Sequence, residues 1–284
     1  MQTSYRRFEL GAPVRVVGPN SGVSEELVIV TWDADLYLRF GDERTRPSLD
    51  LASRIDVAVP RTVVDLGCGP GNSTQVVRSR WPGARVVGVD NSPDMIAAAR
   101  AAYPDQEWAL GAAEEFSAQD PVDVVFSNAA LQWIGDHERL VRHLFDQVAP
   151  RGALAFQIPN RTYSTLTGLI DQVARDPAWS DRLEAARGAL TMESPAFYYD
   201  ALADRARALD IWETEYNHVM ESPHAIVEWI SSTGLRPFLS ALETDEERGR
   251  FLGALEELVG QAYRPRVDGR VLFEFRRLFV IAYR

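Results

Sequence analysis

Three glycines and one aspartate carry the clearest chemical signal in the sequence. Gly67, Gly69 and Gly71 directly follow a short apolar run and precede a stretch with helical spacing. Glycine permits a tight turn and lets a ligand approach the backbone closely. Asp90 ends a second apolar run about twenty residues later, where a carboxylate can accept hydrogen bonds from both hydroxyls of a ribose. The pattern therefore indicates a loop that binds a nucleoside cofactor.

The spacing of this loop argues against a dinucleotide. The usual dinucleotide motif is G-x-G-x-x-G, whereas this loop reads G-x-G-x-G and contains Pro70. A pyrophosphate needs free backbone N–H groups, and proline has none. The alternative interpretation is a glycine-rich turn in which Asp90 only caps the next helix.

Strands and helices are predicted to alternate along the chain from the strand before the loop onwards. These elements would hold the loop in position. Apolar runs at 63–66, 85–90, 122–127 and 153–158 are separated by helical segments, one of which begins with Ser92, Pro93 and Asp94. A hydroxyl cap followed by proline and an acid is typical of a helix start. This alternation predicts an α/β fold with a Rossmann-like, doubly wound and parallel sheet.

The chain is predicted to contain an N-terminal extension and one domain. Residues 1–30 are rich in turn-forming residues without sustained periodicity, and we expect a flexible extension or weakly ordered strands there. Residues 31–284 are expected to form the domain. Helical insertions at about 160–205 and 222–263 would form a lid over the ends of the strands, where ligands bind in such folds.

The composition of the chain limits the partners that we expect it to bind and the cell compartment in which we expect it to act. The 284 residues carry a formal net charge of -11, which disfavours nucleic acid and anionic membranes as partners. The single cysteine, Cys68, allows no intramolecular disulfide and no cysteine-rich metal site, and we expect no metal. The apolar runs are strand-sized and no signal peptide is evident, so a cytoplasmic protein with a small-molecule partner is expected. The oligomeric state is not indicated.

Several motifs resemble those of class I S-adenosylmethionine-dependent methyltransferases. They are the loop motif at 63–74, the strand end at 88–93 and the segment 127–133. More narrowly, segments 36–40, 43–47, 233–237 and 277–279 resemble the family of trans-aconitate 2-methyltransferases. The resemblance covers about residue 32 to the C-terminus. It implies S-adenosylmethionine as the cofactor and a seven-stranded sheet, mostly parallel with an antiparallel C-terminal strand.

The resemblance also implies roles for individual residues at the cofactor. The glycine loop would pass beneath the methionine part, with Asp65 facing the ammonium group. Asp90 would hold the ribose, Asn128 would lie near the amino-acid end, and Trp133 would help to wall the pocket. The implied cofactor-binding residues are Asp65, Gly67, Gly69, Gly71, Asp90, Asn128 and Trp133.

The adenine end departs from the pattern of the superfamily. An acid often follows the third strand there and accepts the adenine amino group, but alanine occupies that position here, at Ala112. Glu114 or a backbone group is left to read the adenine, and the sequence does not decide between them.

A carboxylate acceptor would explain why no catalytic triad is visible. A methyl group on a sulfonium is already activated, and a carboxylate with a pKa near ~4 is ionised at neutral pH, so no general base is required and none is assigned. The other carboxylates of a polycarboxylic acid need cations, and arginine binds them bidentately. The candidate substrate-binding residues are Tyr37, Arg44, Arg46, Tyr199, His218, Arg236 and Arg277, with Tyr198 as a further hydrogen-bond candidate. The predicted reaction is methyl ester formation on a small polycarboxylic acid such as trans-aconitate.

Two other functions stay open on the sequence alone. A phenol, amine or carbon acceptor would often need a base, and His218 or a tyrosine would then be essential. A protein that binds S-adenosylmethionine without catalysis, as a sensor or scaffold, is the second. The intact loop and lid motifs disfavour this last function.

Overall fold

A mixed sheet runs through the computed structural model, which describes residues 41–160 and 164–284. Its strands are β1 (Thr62–Leu66), β2 (Arg85–Asp90), β3 (Glu107–Leu110), β4 (Val122–Asn128), β5 (Val148–Pro159), β6 (Ala208–Met220) and β7 (Val271–Tyr283). The seven strands lie in the order β3-β2-β1-β4-β5-β7-β6. Strands β1 to β5 are parallel, whereas β7 runs antiparallel to both of its neighbours. The predicted Rossmann-like sheet with an antiparallel C-terminal strand is confirmed.

Helices connect the strands and cover both faces of the sheet. In the described ranges they are α1 (Gly41–Arg54), α2 (Asn72–Arg80), α3 (Pro93–Ala102), α4 (His137–Asp146), α5 (Thr165–Ala174), α6 (Ser180–Arg187), α7 (Pro195–Leu202), α8 (Pro223–Ser231), α9 (Arg236–Ala241) and α10 (Asp245–Ala262). The start predicted at Ser92 is present, because its side chain accepts a hydrogen bond from the backbone N–H of Met95. None of these helices is long and apolar enough to cross a membrane.

Two hydrophobic layers sandwich the sheet because successive strand residues point to opposite faces. Val64 and Leu66 of β1 pack in one layer, which is completed by α4 and α7. Val63 lies in the other layer, which is completed by α1 and α2. Burial on both faces explains why the parallel strands read as nearly continuous apolar runs.

A third hydrophobic cluster lies outside these two layers and forms the lid. Helices α5, α6, α8, α9 and α10 contribute to it, with Trp229 and Phe251 at its centre. Met220 of β6 and Phe273 of β7 also join it, so the β6–β7 ribbon reaches from the sheet into the lid. Helix α7, at the end of the predicted first insertion, packs on the sheet instead of in this cluster. The division into an extension and one domain stays a prediction, and residues 1–30 lie outside the described part of the chain.

The strand order reverses between β1 and β4, and ligands bind at such a point in doubly wound folds. The chain leaves β1 towards β2 and later returns to β4 on the other side. The hydroxyl of Ser127 in β4 donates to the carbonyl of Leu66 in β1, at 2.8 Å. This bond fixes the two strand ends from which the loops diverge.

Candidate active site

One cavity of about 600 Å³ opens at this reversal point and has two unlike walls. The strand-end wall includes Gly67, Gly69, Asp90, Asn91, Met95, Gly111, Glu114, Asn128, Gln132 and Trp133. The lid wall includes Arg182, Ala186, Trp229, Thr233, Arg236, Phe275 and Arg277. A space of this size is within the usual range of small-molecule sites.

The three loop glycines serve different purposes, although all have positive φ angles, of 69°, 56° and 102°. A Cβ added at Gly67 would lie 2.1 Å from the Cβ of Ala130, so only glycine fits there. A Cβ added at Gly69 would meet nothing within 4 Å, and this residue faces the cavity. A Cβ added at Gly71 would lie 2.6 Å from the ring of Trp108. Gly71 is therefore not brought to the cavity wall and instead packs at the start of α2.

Asp90 ties the loop to the end of β2 and borders the cavity. Its Oδ2 accepts a hydrogen bond from the backbone N–H of Gly69, and its Oδ1 accepts one from that of Ser92, each at 2.9 Å. Burial raises the pKa of this carboxyl, while the two backbone donors lower it. Each carboxylate oxygen can accept a further bond, so the group is able to hold the two hydroxyls of a ribose.

Asp65 lies behind the loop and is not among the residues that line the cavity. Its Oδ2 accepts hydrogen bonds from the hydroxyls of Ser73 and Thr74, each at 2.7 Å. Its Oδ1 is buried and has no hydrogen-bond partner in the described part of the chain. Burial is the main reason that the pKa of Asp65 rises to about 6. The structure thus makes Asp65 an anchor between β1 and α2, and its predicted role at the ammonium group stays a prediction.

Asn128 and Gln132 bring amide groups to the cavity after β4. The Gln157 side chain donates to Oδ1 of Asn128 at 2.7 Å, which leaves the Asn128 amide nitrogen to donate to a ligand. The Gln132 amide nitrogen donates to the carbonyl of Ala129 at 2.6 Å. Its Oε1 is buried and lacks a partner among the described residues. Trp133 lines the same wall, as predicted from the resemblance.

Gln132 was missed as a site residue, although it lies within the 127–133 motif. The motif alone does not show which of its side chains is held inward. Ala129, with a φ of 55°, turns the chain so that the short helix at Leu131–Trp133 closes over the cavity.

The expected adenine end is formed by the segment after β3. Gly111, Ala113 and Glu114 border the cavity there, and Ala112 is not part of the lining. Glu114 lies on the single-turn helix Ala113–Glu115. Both options for reading the adenine, Glu114 and a backbone group, are compatible with this placement.

Two of the predicted substrate-binding arginines line the lid wall. Arg236 begins α9 and is 9% exposed, and Arg277 lies on β7 and is 6% exposed. Burial lowers the pKa of Arg236 to about 10, which still leaves it charged at neutral pH. The Arg277 guanidinium carbon lies 4.4 Å from the ring centre of Phe275. The arrangement places these two cations beside the aromatic rings of Trp229 and Phe275 in the lid wall.

Other predicted substrate ligands lie away from the cavity. Arg46 is exposed on α1, with its guanidinium carbon 5.1 Å from the ring centre of Tyr216. Tyr199 is 56% exposed on α7 and does not border the cavity. Tyr198 is fully buried and hydrogen-bonds to Nδ1 of His137. Tyr37 and the side chain of Arg44 lie outside the described residues.

His218 lies behind the cavity wall and does not line it. It is buried in β6 among aromatic rings, with its ring centre 4.8 Å from that of Trp229 and 6.1 Å from those of Tyr216 and Phe273. Burial lowers its pKa to about 4, with Arg277 and Arg46 adding to the effect. His218 is therefore neutral at neutral pH and acts as a packed histidine in this structure.

Arg182 and Thr233 also line the cavity, and sequence reasoning did not select either residue as a ligand. Arg182 lies in α6, outside the family-like segments, so only the packing of the helices brings it to the site. Within residues 41–160 and 164–284, no group of three or more His, Cys, Asp or Glu side chains is placed to hold a metal ion.

Known structures with the same architecture support the assignment of the fold. A Bacillus subtilis protein named YcgJ superposes with a TM-score of 0.54 at 15% identity, covering 84% of this chain and 98% of that chain. Phosphoethanolamine N-methyltransferase 2 of Haemonchus contortus, solved with S-adenosylhomocysteine, gives a TM-score of 0.52 at 17% identity, covering 84% of this chain and 52% of that chain. At these identities the likeness concerns the fold alone.

Sequence comparison identifies the family. Residues 63–152 match the family described as a methyltransferase domain. These residues include the glycine loop, Asp90 and the end of β4. The trans-aconitate 2-methyltransferase of Azoarcus sp. (strain BH72) is 46% identical over 254 residues, which cover 89% of this chain and 99% of that protein. The enzyme of the same name from Methylobacterium radiotolerans is 44% identical over 88% of this chain and 97% of its own length. With its two-walled cavity at the strand ends, the chain thus belongs to the family of trans-aconitate 2-methyltransferases.

Proposed function

We propose that this protein transfers the methyl group of S-adenosylmethionine to one carboxylate of trans-aconitate, or of a closely related small polycarboxylic acid, and so forms a methyl ester. The observation that carries the proposal is that the cavity has two chemically different walls. A wall built around the Asp90 carboxylate faces a lid wall that contains two buried arginines, Arg236 and Arg277, across one cavity. The names of the relatives support trans-aconitate as the acid.

The strand-end wall fits a nucleoside that carries an amino-acid tail. Gly69 leaves open space where a side chain would otherwise stand. Asp90 is suited to hold the ribose. Oε1 of Gln132, which has no partner in the described chain, is suited to accept from an ammonium group, and the Asn128 amide to donate to a carboxylate. Glu114 or the backbone at Gly111 would read the adenine. When bound, S-adenosylmethionine supplies a methyl group that is already activated by its sulfonium.

The lid wall provides what a polycarboxylate needs. Arg236 and Arg277 are suited to bind two carboxylates, and their burial strengthens such charge-assisted bonds because little water competes. The third carboxylate then faces the strand-end wall. It is ionised at neutral pH and needs no base, which agrees with the position of His218 behind the wall.

Positioning and exclusion of water would supply the catalysis. Trp229 and Phe275 line the cavity beside the arginines and make this part of it apolar. Alignment of two reactants in such a site can lower the barrier by roughly 7–11 kcal/mol in the best cases. The chain contributes this by holding the acid and the cofactor in fixed places. A base-dependent acceptor has less support, because His218 is not brought to the cavity.

We also propose that the protein acts in the cytoplasm without a nucleic-acid partner. The net charge of -11 supports the absence of a nucleic-acid partner, because a phosphate backbone would be repelled.

The direct test is to incubate the protein with methyl-labelled S-adenosylmethionine and trans-aconitate, and to analyse the products by mass spectrometry and NMR. A labelled methyl ester is expected, and NMR identifies which carboxylate carries it. A matched panel of dicarboxylic acids and a saturated tricarboxylic acid controls for specificity. If no ester forms at any acid concentration while the cofactor binds, the proposed acceptor is wrong.

A further inference from the structure

A third arginine borders the cavity, and carboxylates of the chain bind its guanidinium group. Arg182 of α6 lies on the lid wall, and its side chain is 32% exposed. Its Nη1 and Nη2 donate to the two carboxylate oxygens of Glu247, at 3.1 and 2.6 Å. A second acid, Glu243, lies 3.6 Å from Nη1. The charge of Arg182 is therefore matched by carboxylates of the chain itself.

Glu247 is well fixed for this task. It lies in the first turn of α10, where its backbone N–H donates to the hydroxyl of Thr244 at 3.2 Å. Its Oε2 accepts from the backbone N–H of Glu243 at 3.0 Å. The hydrogen bonds from Arg182 lower the pKa of Glu247 to about 2, so it stays ionised at neutral pH. Glu247 itself does not line the cavity and acts on the site only through Arg182.

The lid wall has two sides. The α6 side presents the neutral Arg182–Glu247 pair together with small apolar residues, Ala185, Ala186 and Ala189. The other side presents Arg236 and Arg277. A tricarboxylate in this space would lie between Arg236 and Arg277 on one side and the carboxylate-bound Arg182 on the other.

We propose that Glu247 is a positioning residue that withholds Arg182 from the substrate. The inference rests on the proposed function, in which two carboxylates bind to Arg236 and Arg277. The third carboxylate must keep its lone pairs available for reaction. A guanidinium that bound this group through two charge-assisted hydrogen bonds would make it a weaker nucleophile and would retain the product. Neutralising Arg182 avoids both effects.

The test is Glu247→Gln, which keeps the shape and the helix-capping position of the side chain but removes its charge. Binding of trans-aconitate is measured by calorimetry on the full chain saturated with S-adenosylhomocysteine, and kcat and KM are measured by ester formation. We expect about tenfold tighter binding and a comparable fall in kcat, because one hydrogen bond to a charged group contributes about 1.4 kcal/mol or more, which corresponds to tenfold. Glu256→Gln is the matched control, since Glu256 lies on the same helix and pairs with His224 instead.

The effect must depend on Arg182. In the Arg182→Gln background, Glu247→Gln is expected to produce no tightening. Weaker binding in Glu247→Gln, equal tightening in Glu256→Gln, or a tenfold loss of binding in Arg182→Gln alone would each overturn the inference. If Glu247→Gln does not fold, Glu243→Gln replaces it and is expected to tighten binding to a smaller extent, because that acid is 76% exposed; unchanged binding there would also overturn the inference.

The two proposals fail in different ways. Wild-type protein that forms no ester overturns the proposed function and the inference with it. Wild-type protein that forms the ester, together with a Glu247→Gln variant whose binding is unchanged, overturns only the inference.

Discussion

The two walls of the cavity are built by different means. The strand-end wall is fixed by hydrogen bonds between neighbouring strand ends, such as the bond from Gly69 to Asp90 and that from Ser127 to Leu66. The lid wall brings together side chains from α6, α9 and β7, which are far apart in the chain and are held by the third hydrophobic cluster. The proposed cofactor wall is therefore encoded locally, whereas the proposed wall for the acid depends on tertiary packing.

The first prediction tests whether the strand-end wall alone binds the cofactor. Asp90→Ala removes both the bond to Gly69 and the proposed bonds to the ribose. Since each hydrogen bond to a charged group contributes about 1.5–3 kcal/mol, the Kd for S-adenosylhomocysteine should rise about 10²-fold or more. Calorimetry measures this, with Asp94→Ala on the exposed side of α3 as the control. Equal losses of affinity in Asp90→Ala and Asp94→Ala would contradict a specific role of Asp90 in binding the cofactor.

The second prediction separates stability from binding within the loop. Gly67→Ala would bring two Cβ atoms to 2.1 Å, and it should lower the free energy of unfolding by about 2–3 kcal/mol. Gly69→Ala meets open space and should lower the free energy of unfolding by only about 1 kcal/mol, because alanine disfavours a positive φ. Its larger effect should be on the Kd for the cofactor. Thermal melts measure the loss of stability, and calorimetry measures the loss of cofactor affinity. If Gly69→Ala were less stable than Gly67→Ala, the close packing of Gly67 against Ala130 would be contradicted.

The third prediction applies the same comparison to the lid wall. Arg236→Gln and Arg277→Gln should each raise the KM for trans-aconitate about tenfold or more, since one charge-assisted contact is lost. The Kd for S-adenosylhomocysteine should stay within about twofold, because the proposed function assigns the cofactor and the acid to different walls. Arg175→Gln, an exposed arginine of the lid that pairs with Asp171, is the control. A matching loss of cofactor affinity would show that the walls do not act separately.

The smallest expected effect concerns Asp65 and pH. Its pKa rises from 3.8 to about 6 in the folded protein, mainly through burial. Between pH 4 and 6 the folded state therefore binds more protons than the unfolded state, and the contribution of Asp65 to stability falls as pH rises through that window. Asp65→Asn removes this penalty and should raise the free energy of unfolding by about 1–2 kcal/mol at pH 7.

The pH dependence of this gain identifies its source. Denaturant melts at pH 4 and pH 7 should show the advantage of Asp65→Asn shrinking towards pH 4, where Asp65 is protonated in the folded wild type. An advantage that is independent of pH would show that the charge of Asp65 is not its cause.

The contrast between the walls also explains what could be predicted from sequence. The alternation of strands and helices was sufficient for the parallel part of the sheet, whereas the antiparallel C-terminal strand was implied by the family resemblance. Gly69 and Asp90, selected from the spacing of the glycines and of the next strand end, both line the cavity. Gly71 belongs to the same motif, but the spacing does not reveal that Trp108 fills the space beside it. Gln132 was missed because its inward orientation depends on the turn at Ala129.

Prediction was weaker on the lid side for a physical reason. Tyr198 and Tyr199 are adjacent in a short helix, and only the packing of α7 on the sheet decides that the first is buried and the second exposed. Arg46 and His218 were proposed as ligands from their chemistry, but one faces solvent and the other is enclosed by aromatic rings. Arg182 reaches the cavity only because α6 packs into the lid cluster.

Strand β7 has a consequence for how the chain folds. It lies between β5 and β6, and it supplies Leu278 to one face of the sheet, Phe279 to the other and Phe273 to the lid. It follows all the other strands along the chain, and its pairs, such as Ala153 with Tyr283, join residues that are distant in sequence. Contacts of this kind form slowly, so in a nascent chain the edge of β5 that faces away from β4 stays unpaired until β7 arrives. The lid wall, which contains Phe275 and Arg277 of β7, therefore forms late in folding, and until then the exposed edge of β5 is a risk of aggregation.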